Sequence, residues 1–277
     1  MTETALASTN WQALLRLKLS CGEHRTQLVP IERYGPLSVQ RPFYPEGECC
    51  HVYLLHPPGG VVGGDSLELH LDQDPGSKAL LTAPGAAKFY ASAGDTAHVR
   101  QRFEVASGSQ LEYLPHENIY FPGARVDSKT TIDVEPGGAV MLWEKHCFGR
   151  PANRETFTTG QLHSQIELNC GGKPVLIEKQ RLNARELQRA SGLRNRPVLG
   201  SFIIFGVEFD DGLINHLQTI TVANGICGIS CVQKNLLVAR YIGDSTSELD
   251  DYFVALWELT RSPTLGRAAC HPRIWKT

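Results

Sequence analysis

Short runs of alternating apolar and polar residues, separated by turns built on Pro-Gly, recur along this chain and restrict it to a fold made of many short strands. Leu15, Leu17 and Leu19 alternate with Arg16 and Lys18, and Leu67, Leu69 and Leu71 alternate with Glu68, His70 and Asp72. That is the period-two pattern of a strand with one buried face. Comparable runs occupy residues 51–55, 98–105, 130–134, 140–143, 162–168, 175–178 and 198–205. Between them stand Asp74-Pro75-Gly76, Ala83-Pro84-Gly85, Phe121-Pro122-Gly123 and Glu135-Pro136-Gly137-Gly138, where proline pre-sets φ and glycine admits positive φ. Strands at spacings of roughly ten to twenty residues predict a mostly β architecture: a sandwich, a barrel or a β-solenoid. The sequence carries no repeat of fixed period, which argues against a regular solenoid and leaves an irregular coil of strands open.

Helix signals gather near the C-terminus. Ser245-Thr246-Ser247-Glu248 has capping-box spacing, and Leu249, Phe253, Leu256, Trp257 and Thr260 fall on one face, with Pro263 expected to end the helix. A second helix is expected around residues 211–221, where Leu213, Ile214, Leu217 and Ile220 keep near-helical spacing. Residues 183–190 read equally as a helical turn or an exposed loop. No linker or charge block divides the chain, so we expect one domain over residues 1–277, with residues 1–10 flexible.

With 27 Lys+Arg against 29 Asp+Glu, the net charge of −2 gives no reason to expect nucleic acid or an anionic membrane as partner; a protein or a small ion fits better. The first ten residues lack the basic and apolar stretches of a signal peptide. No window approaches the roughly 18 apolar residues of a membrane span, so a cytoplasmic protein is expected. The eight cysteines are sparse and irregular, which suits reduced thiols better than a disulfide framework. Cys227 and Cys231 have a three-residue gap and no second ligand pair, and Cys231 reads as a small core residue. Cys49-Cys50-His51 is more suggestive of a metal contact, yet neighbours on a strand face opposite ways, so only one of the two thiols can serve a site.

Enzymatic readings lack their usual parts. There is no GxxxxGK[ST] loop, no GxGxxG after a strand and no GxSxG elbow. His116-Glu117-Asn118-Ile119-Tyr120 begins like a zinc-protease motif but has Tyr120 where a second histidine is required. A β-fold hydrolase using His116 and Glu117 is the enzymatic alternative. Three carboxylates stand in settings that make a charge expensive: Asp65 after four glycines, and Glu144 and Glu178 in apolar runs. Each needs a cation, a hydrogen-bond network or water, unless it reaches the surface or pairs with Lys145, Lys179 or Arg181. In His56-Pro57-Pro58-Gly59-Gly60-Val61-Val62-Gly63-Gly64-Asp65, the prolines stiffen the approach and the glycines remove side-chain bulk, so this segment specifies a backbone shape. Residues 34–46 mix aromatics, prolines and Arg41. With Phe43 and Tyr44 they have the composition of an interface hot spot, or of a cap over one end of a β core.

The chain resembles the UreD/UreH family of urease accessory proteins. The resemblance rests on Gly35-Pro36-Leu37, residues 39–46, residues 50–65, Pro84-Gly85-Ala86 with Lys88-Phe89-Tyr90, Leu111-Glu112, Phe121-Pro122-Gly123-Ala124, Gly149-Arg150-Pro151, Arg240-Tyr241 and residues 272–277, in order along nearly the whole chain. It implies an irregular β-helical fold with two helices near the C-terminus. It also implies a cytoplasmic, non-enzymatic chaperone that binds apo-urease and the UreF accessory protein, with the UreG GTPase recruited through UreF, and that helps deliver nickel. No cofactor is expected to stay tightly bound; the nickel ion is transient cargo. By matching of positions, Asp65, Glu144 and Glu178 are associated with an internal nickel passage, Asp65 and Glu178 being expected to make weak contacts. Glu144 replaces an aspartate frequent in the family, and Ala87 a serine or threonine. Oxygen ligands suit such a passage because a cluster of nitrogen and sulfur donors would hold a late divalent metal too firmly to release it. The C-terminal Arg273, Trp275 and Thr277 are expected to help dock UreF, unless Trp275 covers its own core. The alternative role is a purely structural adaptor that bridges UreF and urease.

Overall fold

The alternating runs become strands stacked in parallel, and the Pro-Gly turns become corners between two sheets. In the computed structural model, which describes residues 10–276, β1 (Gln12–Cys21) opens the first sheet and β2 (Thr26–Tyr34) returns antiparallel beside it. The chain passes through β3 (Ser38–Val39) into the second sheet with β4 (Cys50–Leu55). It then coils. One turn comprises β5 (Ser66–Gln73), β6 (Lys78–Thr82) and β7 (Ala87–Phe89), and the next β8 (Ala97–Val105), β9 (Gln110–Tyr113) and β10 (Asn118–Tyr120). A third turn is made of β11 (Arg125–Val134) and the long β12 (Ala139–Arg150). After β13 (Glu155–Thr156), β14 (Gln161–Cys170) starts a fourth turn that stops when β15 (Lys173–Asn183) doubles back. The protein is therefore a β-solenoid of about four turns. The second sheet is completed by β16 (Val198–Phe205), β17 (Ile226–Gln233) and β18 (Leu236–Gly243), in the antiparallel order β12-β16-β18-β17.

The corners repeat from coil to coil. Gly76, Gly108 and Gly137 all hold φ between 71° and 90°, and the Gly76 N–H donates to Ser107 O at 3.2 Å as the Gly108 N–H does to Gly137 O. Between corners, parallel pairing aligns the interior in rows. Leu17, Leu71, Phe103, Ile132 and Leu168 face one another in successive strands and are all buried. Burying a side chain of this kind contributes about 1.5–3 kcal/mol, so such a row carries much of the fold's stability.

Among the described residues are three α-helices: α1 (Ala184–Gln188), between β15 and β16 and capped by Asn183; α2 (Asp211–Gln218), between β16 and β17 and capped by Asp210; and α3 (Thr246–Leu265), after β18 and capped by Ser245. The five residues expected to face inward from α3, Leu249, Phe253, Leu256, Trp257 and Thr260, are all buried against the outer face of the second sheet. Strand β12 is consequently covered on both faces. Val140, Leu142 and Glu144 point into the solenoid, while Met141, Trp143 and Cys147 meet the helix layer.

Some expectations need correcting. Pro263 lies inside α3 instead of ending it; Thr264 and Leu265 are buried, which holds the last turn despite the missing N–H, and Gly266 at φ 66° closes the helix. Glu248 does not complete the capping box, because its carboxylate accepts from Tyr241 Oη at 2.7 Å and the Asn224 N–H at 2.8 Å. Strands continue into the last quarter as β17 and β18. Cys231 is exposed, because β17 is an edge strand. The expected flexible N-terminus, Asn10 apart, lies outside the described residues, as does Thr277.

Helix α3 is fastened by a buried ionic cluster. Glu112 on β9 is fully buried and accepts from Trp257 Nε1 at 2.7 Å, Arg261 Nε at 3.0 Å and Arg267 Nη2 at 3.1 Å. Arg261, also fully buried, pairs with Glu46 at 2.6 Å, and Glu46 meets His51 Nε2 at 2.6 Å. Burial alone would raise the Glu46 carboxyl, but hydrogen bonds and charge from His51 and Arg261 outweigh it and hold the group down at about 2. Its contribution to stability is therefore present above the ordinary carboxylate range and is lost as pH falls through about 2. Acid titration followed by tryptophan fluorescence should show α3 coming away in that window. Arg261→Ala leaves Glu112 and Glu46 short of a buried partner, and urea denaturation should record a loss of about 3–5 kcal/mol.

Candidate functional site

Not every interior row is apolar, and one carries Gln101 and Thr130 side by side. Leu15 and Leu69 are followed in register by Gln101 and Thr130, and then by Ile166, which faces Glu178 on β15. From the second sheet, Tyr113, Glu144, His146 and Ser201 meet this row. Gln101 Nε2 donates to Tyr113 Oη at 2.6 Å. Thr130 Oγ1 lies 2.9 Å from Gln101 Oε1 and 3.3 Å from Glu144 Oε1, its one hydrogen shared between them. Ser164 Oγ donates to Glu144 Oε2 at 3.1 Å, and His146 Nε2 lies 3.3 Å from the same oxygen. Tyr120 Oη stands 3.0 Å from the other imidazole nitrogen, Nδ1, and burial, helped by the nearby Glu144 charge, keeps that phenol neutral. Further along, Glu178 accepts from Ser201 Oγ at 2.6 Å and from Arg240 Nη2 at 3.1 Å. Glu144 and Glu178 are only 8 % exposed, whereas the Arg240 side chain is 51 % exposed, so the polar seam runs from the interior to the surface.

Two cavities follow the seam. The larger, of about 390 Å³, is walled by Leu37, Leu54, His56, Gly60, Ala87 and Tyr113 among others, and reaches Glu144. The smaller, of about 10 Å³, is enclosed by Glu144, His146, Ser164, Ile166, Glu178, Gln180, Leu199 and Ser201. Glu144 therefore lines both, and the structure brings Glu144 and Glu178 to one chamber.

Asp65 is buried in a different setting. Its two oxygens accept the backbone N–H of Trp11 at 2.8 Å and of Val62 at 2.9 Å, and it does not line the larger cavity. What it secures is the segment from His56 onward, of which His56, Gly59, Gly60 and Val61 form cavity wall. The glycines there are dictated by space. A Cβ at Gly60 would lie 2.1 Å from the Tyr90 ring, and one at Gly63 would lie 2.1 Å from Ser92 Oγ. Pro57, Pro58 and Gly59 form an exposed turn, and Gly64 takes φ 90°.

The surface candidates are scattered. Arg41 and Phe43 are exposed, and Tyr44 is partly covered, with the Arg25 guanidinium 4.1 Å from its ring. Arg273 is exposed in a 3-10 turn over Arg273–Lys276. Trp275 packs inward, its ring 5.3 Å from Trp143 and 5.2 Å from Trp257, with Nε1 donating to Thr82 at 3.1 Å.

Cys49, just before β4, and His51 on it offer, with Glu46, three potential ligand atoms within 4.8 Å of one another. A cation there would stand beside the guanidinium groups of Arg261 and Arg267, which already hold Glu46, and burial drives the Cys49 thiol far from ionisation. The chemistry of the set fits a structural ion-pair network better than a metal centre. His116 and Glu117 have no second carboxylate or histidine in a ligand cluster among the described residues; His116 instead lines the larger cavity.

Sequence reasoning found Glu144 and Glu178 as anomalies but missed His146 and Arg240 as their partners. His146 was within reach: two residues after Glu144 on a strand, it must share that face. Arg240 is 62 residues from Glu178 and required the fold.

The UreD urease accessory protein family matches residues 12–276. A protein of Alcanivorax borkumensis named urease accessory protein UreD is 41 % identical over 275 residues, covering 96 % of this chain and 92 % of its own. Proteins of the same name from Pseudomonas entomophila and Aliivibrio fischeri are 40 % and 37 % identical, covering 99 % and 100 % of this chain and 98 % and 100 % of their own. No described helix is long and apolar enough to cross a membrane.

Asp65→Ala removes the acceptor of two backbone N–H groups, each worth about 1–3 kcal/mol when left unpaired in a buried setting. A clear fall in melting temperature is the expected result. Glu178→Gln, which keeps size and hydrogen-bonding capacity, should leave the melting temperature nearly unchanged.

Proposed function

The chain belongs to the UreD urease accessory protein family, and from that premise we propose that it is a non-enzymatic, cytoplasmic chaperone which passes nickel through its own interior to apo-urease. The observation that carries this reading is the polar seam, with its two cavities meeting at Glu144, inside a solenoid whose core is built largely from leucine, valine, isoleucine and phenylalanine. An ion entering the larger cavity meets Glu144, crosses the small chamber to Glu178, and leaves where Arg240 reaches solvent. Carboxylates and hydroxyls offset part of the cost of stripping water from a doubly charged ion, and each holds it weakly enough to let go. Asp65 supports the route by fixing the loop that walls the larger cavity. UreF is the direct partner in this reading, with UreG recruited through it. The exposed Arg41, Phe43 and Arg273 are the contact candidates, and Trp275 supports the C-terminal turn from beneath.

A structural adaptor that only bridges UreF and urease is the second reading. It is favoured by the fact that both oxygens of Glu144 and of Glu178 already have protein hydrogen-bond partners. Glu144→Leu and Glu178→Leu separate the two. In a purified, nickel-limited mixture both variants should still assemble with UreF, UreG and apo-urease, as pull-down will report, while most urease activation is lost. Normal activation by both would leave the adaptor as the role.

A further inference from the structure

The small chamber is close to the size of one water or one bare ion. A cavity of about 10 Å³ corresponds to roughly one solvent-sized sphere, and its wall holds two carboxylates, two serine hydroxyls and an imidazole. Glu144, His146, Ser164, Glu178 and Ser201 are each at most 8 % exposed. A passage lined by oxygen alone has a chemical weakness: carboxylates, hydroxyls and carbonyls suit magnesium and calcium as well as any late transition metal.

We propose that His146 supplies a nitrogen ligand to a single-ion station in this chamber, with Glu144 beside it and Glu178 completing the wall, and that this nitrogen sorts late first-row divalent cations from Mg²⁺ and Ca²⁺. The inference rests on the passage reading and adds its selectivity. His146 Nε2 is the atom turned toward Glu144, 3.3 Å from Oε2, while Tyr120 Oη engages Nδ1 at 3.0 Å. A ligating histidine is normally oriented by a partner on its other nitrogen, and Tyr120 occupies that place. Tyr120 is itself fixed between Phe89, at 5.1 Å, and Phe148, at 5.2 Å. Imidazole favours nickel, cobalt, copper and zinc over hard cations. The small volume acts in the same direction, because Mg²⁺ dehydrates reluctantly and keeps several waters for which this chamber has no room. One nitrogen among oxygens also avoids the firm grip of a multi-histidine site, as a station along a path requires.

Calorimetry on the purified full-length chain tests this, with Ni²⁺ alone as probe and then with Mg²⁺ in large excess. The native chain should bind one Ni²⁺ that depends on Glu144, with affinity indifferent to Mg²⁺. His146→Gln should weaken Ni²⁺ binding at that site by about tenfold or more and make the remainder sensitive to Mg²⁺. Wild-type affinity and indifference to Mg²⁺ in His146→Gln would overturn the proposal. A measurement without substitution guards against a misfolded variant: substoichiometric Co²⁺ should broaden the His146 ring resonances before those of the exposed His24. Broadening that spares His146 also overturns it. The passage reading is judged separately by activation. Loss of activation in Glu144→Leu together with unaltered metal binding in His146→Gln retains the passage and rejects the station. Normal activation in Glu144→Leu with Co²⁺ at His146 rejects the passage and retains the station.

Discussion

Because β5, β8, β11 and β14 stack in parallel without a slip of register, a residue at one step of a coil meets the residue at the same step of the next, and the interior is composed row by row. A row filled by leucine, phenylalanine and isoleucine becomes core. A row containing Gln101 and Thr130 becomes a line of adjacent polar groups, because parallel stacking brings like steps together whatever their chemistry. The polar seam is thus a property of the architecture, and its position follows from a few substitutions at equivalent steps of successive coils. The long β12 completes it by presenting Glu144 and His146 from the opposite wall.

Apart from Asp65, which backbone N–H groups hold, four carboxylates of the interior fall into two arrangements. Glu112 and Glu46 face two arginines, one of them fully buried, and together they weld α3 to the second sheet. Among the described residues Glu144 has no arginine or lysine partner; it is held by hydroxyls and an imidazole, and Glu178 by a serine, a glutamine and an arginine that is half in solvent. The first arrangement cancels charge and fixes geometry. The second relies mainly on hydrogen bonds from uncharged groups, which hold a carboxylate without fixing a cation against it. Of these four, Glu144 is the one that no guanidinium or ammonium group pairs with among the described residues.

Much of this was legible beforehand. The alternation of Leu15–Leu19 and Leu67–Leu71 survives as β1 and β5, and the Pro-Gly turns survive as corners, because both depend on local rules of backbone and burial. Helix α3 was legible from Ser245 and its apolar stripe. The strand with Val29, Pro30 and Ile31 was not, since β2 lies at a sheet edge and buries only Thr26 and part of Leu28, too little to impose alternation. Strand β12 was read as ending at Trp143, because a strand covered on both faces also loses alternation. The partners of Glu178 and Asp65 were illegible for another reason. Lys179 is the nearest cation to Glu178 along the chain but lies on the opposite strand face, so Arg240, far away in sequence, makes the contact instead.

The reversed strands at the two ends of the first sheet bear on how the molecule behaves in company. A coil whose last parallel strand were open would offer a second copy the same register that joins its own coils, and assembly could proceed end to end. Here β2 and β15 run against the coil, each with a register irregularity, at Arg16/Leu17 and at Leu168/Asn169. A newcomer cannot extend the winding by the rule that built it. The stack is finite by construction, and any protein that joins it must bring a different kind of contact.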